Sequence, residues 1–248
     1  MQQTNPKFEN FAGFQSGAFD FFRKLHRNNN RPWFLKHKDS FQETLLKPMR
    51  ALAFEWAEAL HDKGIPLEPS AKSPVSRIYR DLRFSPDKRP YNTFLSTALY
   101  RKGNKSLPGV LYLHLAASEA FVASGFWQPE PAFLLAWRST MTSRPAAFSK
   151  VVAELKRQRL QLSTESAMKR LPRGFDVQVG SPMESFLKLK SFIVTRKLSQ
   201  KEVYSPRLVE TITKFAVESK PLLEFGWALR LPRKTPSAHP TFEETLLE

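Results

Sequence analysis

The chain contains no cysteine. Disulfides, thiolate metal sites and cysteine nucleophiles are therefore excluded, and the absence suits a reducing, cytoplasmic setting. Long apolar runs are also missing. No stretch approaches the ~20 residues that span a bilayer, and the opening MQQTNPKFENFAGFQSG holds no apolar centre of signal-peptide length. A cytoplasmic protein with no membrane partner is expected. The glycine-rich phosphate loop that ends in lysine, the dinucleotide fingerprint GxGxxG, the metalloprotease HExxH and the nucleophile elbow GxSxG are all absent. Five histidines (His26, His37, His61, His114 and His239) are scattered without helix-face ligand spacing, so no metal is expected. Acidic residues are scarce: 23 stand against 39 lysines and arginines, for a net charge of +16 and a pI near 10.2. Such a balance attracts polyanions (nucleic acid, anionic surfaces, phosphorylated ligands) and says nothing about fold.

Apolar residues are not scarce. They make up 41% of the 248 residues, and 21 are phenylalanine. That is the material of a packed core rather than of a disordered chain. Phe19, Phe22 and Leu25 fall at helical spacing after Ser16, a potential cap, and Asn28 to Asn30 break that helix. A second helical run opens at Arg31, carries Trp33, Phe34, His37 and Phe41, meets Pro48, where a kink or split is expected, and stops at Gly64. VSRIYRDLRF, TFLSTALY and the hairpin VLYLHLAASEAFVASGFW read as strands. Two helices, a turn-rich loop, a short helix, a strand and a long helical stretch interrupted by Pro221 follow. Helices lead, antiparallel strand signals sit in the middle and helices finish. That order predicts a single α+β domain over residues 1–230, with a central, mostly antiparallel sheet flanked by N-terminal and C-terminal helices, and a loose tail at 231–248.

The densest chemistry lies in RIYRDLRFSPDKRPY, Arg77 to Tyr91. It packs four arginines, one lysine and two aspartates among apolar residues. As a strand, it would place Arg77, Tyr79, Asp81 and Arg83 on one face and Ile78, Arg80, Leu82 and Phe84 on the other. A guanidinium is a rigid fork of donors matched to carboxylate or phosphate. The candidate ligand-binding residues are therefore Arg77, Arg80, Asp81, Arg83, Asp87, Lys88 and Tyr91. Asn29, Arg31, Trp33 and Lys38 from HRNNNRPWFLKHKDSF, and His114 of the hairpin, are secondary candidates. The competing reading is an ion-pair network that pins a loop to a sheet.

RxxRDxRF followed by DKxPY resembles the signature of the bacterial domain-of-unknown-function family 2461. Here it consists of Arg77, Arg80, Asp81, Arg83, Phe84, Asp87, Lys88, Pro90 and Tyr91. FAGFQSGAFDFFRKLHRNNNRPWFLKHKDSF, MKRLPRGFD and FLKLKSF are similar to further landmarks of that family. Arg89 and Asn92 depart from its commoner threonine and lysine, and Phe41 from its commoner tyrosine. The resemblance implies a single α+β domain and no catalytic residue. Three functions stay open, in this order: binding of a small phosphorylated or carboxylated ligand, with turnover undecided; a structural motif with function in a protein interface; and non-catalytic nucleic-acid binding. Neither a cofactor nor an oligomeric state can be named.

Overall fold

The computed structural model describes residues 10–230 except 84, 85, 106 and 107. The expected tail at 231–248 and the place of Phe84 lie outside the described residues. Five strands form one sheet in the order of the chain, with every pair antiparallel. They are β1 (Leu67–Pro69), β2 (Phe94–Arg101), β3 (Val110–Ala116), β4 (Ala120–Phe126) and β5 (Phe192–Lys197). A short turn joins β3 to β4, as antiparallel neighbours allow. Leu111, Leu113 and Leu115 point to the core, while Tyr112 and His114 point to the other, half-buried face.

Helices precede, interrupt and follow the sheet. The first group is α1 (Gly17–Arg27), α2 (Arg31–Lys36), α3 (Lys38–Phe41) and α4 (Lys47–His61). The second is α5 (Pro131–Ser143), α6 (Pro145–Arg157), α7 (Glu184–Leu187), α8 (Gln200–Tyr204) and α9 (Leu208–Trp227). α4 lies on β1 and β2, α9 lies on β4 and β5, and the two helices also pack on each other. Trp56 of α4, Trp137 of α5 and Phe215 of α9 are wholly buried in one continuous core, so the described residues form a single α+β unit. Among the described residues no helix is long and apolar enough to cross a membrane.

Several local expectations are corrected. Ser16 precedes α1, but its side chain caps nothing; its carbonyl accepts from the Tyr204 hydroxyl instead. Pro221 does not interrupt α9. It removes one intrahelical bond to the carbonyl of Val217, a residue on the exposed side of the helix, where solvent can satisfy that acceptor. Pro48 neither splits nor ends its helix. The chain passes from α3 through a π-helical turn, Gln42–Leu46, straight into α4. Proline has no N–H to give the carbonyl four residues back and its ring crowds that carbonyl. The wider turn, in which the Lys47 N–H reaches Gln42 O, relieves the crowding.

The largest correction concerns the expected strand at 75–84, whose described residues, 75–83, are not a strand. Among the described residues of this segment there are only isolated bridges, Val75 to Thr97 and Tyr79 to Tyr91. The aspartates explain why. Asp81 Oδ1 accepts from the backbone N–H of Arg83 at 3.2 Å, and Asp87 Oδ1 from that of Arg89 at 3.0 Å. A carboxylate that binds the amide two residues on closes a turn and competes with a strand ladder.

Candidate functional site

The described residues between 80 and 91 form a self-tied loop. Each of the two Asp-x-Arg units folds its arginine back on its own aspartate. Arg83 binds Asp81 through Nε at 3.0 Å and Nη2 at 2.6 Å, and Arg89 binds Asp87 through Nε at 3.0 Å and Nη2 at 2.7 Å. Arg80 closes the loop from the other side, with Nη1 2.6 Å from Asp87 Oδ2. Lys88 Nζ donates to Leu82 O at 3.2 Å. Five of the expected ligand contacts, Arg80, Asp81, Arg83, Asp87 and Lys88, thus spend their charge inside the loop. The hydrogen bonds from Arg83, side chain first, hold the Asp81 carboxyl below its usual range. Those from Arg89 and Arg80 hold Asp87 further below it.

The Asp87 shift has a sign. A folded-state pKa below the unfolded value of about 3.9 contributes stability above that pH and loses it as the pH falls toward the folded value. Asp87→Asn is therefore expected to melt below the native chain at pH 6, with the gap closing as the pH falls below about 4. Thermal melts across that range check it.

The loop is fastened to the N-terminal helices. The three asparagines each have a separate task. Asn28 Nδ2 donates to Lys24 O, and Asn30 Oδ1 caps α2 by accepting from the Trp33 N–H at 3.0 Å. Asn29 imitates a strand: its Nδ2 donates to Tyr91 O at 2.9 Å and its Oδ1 accepts from the Tyr91 N–H at 3.0 Å. Tyr91 itself is 3% exposed, with its ring stacked on Phe34 at 4.2 Å, and burial pushes its phenol pKa up. It is a wall behind the site rather than a donor in it. Trp33 is half-buried and stacked on His37, and Arg31 is exposed at the start of α2. His114 is sandwiched between Phe94 and Phe121 on the far face of the sheet, where burial lowers its pKa. That sheet position separates it from the motif.

Arg77 behaves differently from its neighbours. Among the described residues its guanidinium has no ion pair and no hydrogen bond. It lines an open cleft of about 260 Å³, between the N-terminal helical run and residues 72–79. Lys38, Arg50 and Lys72 line the same cleft, and among the described residues each is likewise free of any ion pair or hydrogen bond. Among the described residues no carboxylate lines it. Phe34, Phe41, Val75 and Ile78, all buried, make its apolar floor, and Tyr79 stands at its edge, 57% exposed.

Two local devices hold these cations in place. On one wall the lining residues Phe34, Lys38, Gln42, Leu46 and Arg50 recur every fourth position. In a regular α-helix such a stripe rotates away by about 40° per step. The π-helical turn is less tightly wound. It spans the step from Gln42 to Leu46 and turns the stripe back, so that Lys38 and Arg50 still face one cleft. On the other wall, residues 72–79 are pinned to the edge of β2. The Ser76 N–H donates to Ser96 O at 2.8 Å, the Ser96 N–H donates to Ser76 Oγ at 2.9 Å, and Thr97 Oγ1 donates to Pro74 O at 2.7 Å.

Of the residues singled out in the sequence, Arg77 and Lys38 come together here, with Tyr79 beside them. Arg50, Lys72 and Gln42 were missed. Arg50 reads as one exposed position of an amphipathic helix and Lys72 as part of a polar loop. The only signal for Arg50 and Gln42 is the every-fourth stripe, which needs the π-turn to make sense, and Lys72 carries no such signal. Among the described residues no group of three or more metal-binding side chains gathers.

Residues 17–225 match the profile of the family described as "Conserved hypothetical protein (DUF2461)". The chain belongs to that family. The match runs from the first residue of α1 nearly to the end of α9, so it takes in the cleft, the self-tied loop and the sheet together. No curated protein matches the chain.

Proposed function

We propose that this chain binds a small phosphorylated or carboxylated molecule in the cleft lined by Lys38, Arg50, Lys72 and Arg77. The observation that carries the reading is that these four cations line one cleft and, among the described residues, none is held in a salt bridge; Asp81, itself bound by Arg83, acts on Arg77 only at longer range. Like charges gathered without counter-charge repel one another, and an anion relieves that repulsion. The apolar floor excludes water beneath the anion and strengthens each contact. Among the described residues the lining carries neither a carboxylate nor a histidine, so the reading proposed is binding, with turnover left undecided, set in the cytoplasm as the cysteine-free sequence suggests. A calorimetric titration of the full chain with pyrophosphate tests it. Binding that weakens as salt is raised supports the reading, and no heat at low salt overturns it.

A second reading has its own support. The pairs Arg80–Asp87, Arg89–Asp87 and Arg83–Asp81 make residues 80–91 a scaffold, in line with the structural alternative for the motif. The two readings fit together: the loop holds the wall, and Arg77 just before it faces the ligand. Non-catalytic nucleic-acid binding draws less support, because most of the motif's cations are spent on its own carboxylates and carbonyl groups.

A further inference from the structure

The anion reading leaves three features of the cleft unused. The first is Tyr79. Its ring meets Phe34 edge-on at 6.1 Å and Tyr91 at a tilt at 5.4 Å, yet it is more than half exposed at the cleft edge. A large ring held rigid by two others and left open to solvent is a stacking platform, since any planar base has a π-face to lay on it. The second is Gln42, whose half-buried side-chain amide makes no hydrogen bond among the described residues. An amide carries a donor and an acceptor side by side, which matches the edge of a heterocyclic base. The third is charge number. Four cations exceed what a single phosphate of about two negative charges neutralises.

From these we infer that the ligand carries more than one phosphate and a planar heterocycle, and that a nucleoside diphosphate is the class that fits. This rests on the anion reading above. The phosphates would meet Lys38, Arg50, Lys72 and Arg77, and the base would lie on Tyr79 with its edge toward Gln42. The phosphates are held by side chains, not by backbone amides of a glycine loop, which accounts for the missing glycine motifs. The cleft is small for a whole nucleotide, but it is open, and Tyr79 at its edge extends the surface outward.

The test compares ADP with pyrophosphate on the full chain. Stacking predicts that ADP binds about tenfold tighter or more. Tyr79→Ala is expected to erase the ratio between the two affinities, whatever the affinity for pyrophosphate itself, and Tyr79→Phe to keep it, because the ring and not the hydroxyl is used. Equal affinity of native protein for the two ligands overturns the nucleotide inference and leaves the anion reading standing. The same holds if Tyr79→Phe loses the gap. Failure of both ligands to bind overturns the two together.

Discussion

Replacing Lys72 and Arg77 together by glutamate is expected to reduce pyrophosphate affinity by about 100-fold or more without lowering the melting temperature. Each side chain supplies a charge-assisted contact of about 1.5–3 kcal/mol, and each reversal adds repulsion in its place. Stability is expected to hold because both residues are exposed and, among the described residues, neither side chain has a salt bridge or hydrogen bond to lose; the longer-range attraction of Arg77 to Asp81 is weak at an exposed site. Removing two members of an unneutralised positive group even eases its self-repulsion. Arg83→Ala is the matched control. Arg83 belongs to the same motif, but it is turned onto Asp81 and lies outside the cleft lining. Its loss is expected to leave affinity within about twofold, since exposed ion pairs of this kind contribute little. Equal damage from Arg83→Ala would move the site back to the loop.

Asn29→Ala is the second large effect, and it acts on stability first. The substitution strands both the N–H and the carbonyl of Tyr91, a residue that is almost fully buried. Each buried polar group left without a partner costs about 1–3 kcal/mol, so a loss of about 2 kcal/mol or more is expected. For a domain of this size that lowers the melting temperature by about 4–8 °C. The Tyr91 ring braces Phe34 and Tyr79, so the cleft loosens as well and pyrophosphate affinity falls. Asn29→Asp is a useful companion. It keeps the acceptor for the Tyr91 N–H but faces the Tyr91 carbonyl with an oxygen, so it is expected to be no better than alanine. A native-like melt for Asn29→Ala would show that the amide clamp contributes nothing.

Much of the fold was legible in the sequence, for plain reasons. Leu111, Leu113 and Leu115 alternate with polar residues, and alternation has one structural meaning on a half-buried sheet. The helix–sheet–helix order followed from the same periodicities. The site was legible only in part. RIYRDLRF has the composition of a strand, but each Asp-x-Arg unit binds its own backbone and turns the chain, a choice that propensity does not reveal. The densest run of charge therefore proved to be mostly internal pairing. The residues left open to a ligand are spaced along three segments whose proximity is tertiary: Lys38 on α3, Arg50 on α4, and Lys72 with Arg77 on the edge of β2. Asn29 looked like a polar ligand contact because asparagine often is one, yet it is used as a piece of strand.

The central claim is a location, and the most direct measurement of it is a crystal of the full chain soaked in tungstate, a heavy tetrahedral stand-in for phosphate. The account predicts an anomalous peak in the cleft, within hydrogen-bonding distance of Lys72 and Arg77. A peak confined to the self-tied loop, at Arg83 or Arg89, with nothing in the cleft would contradict it.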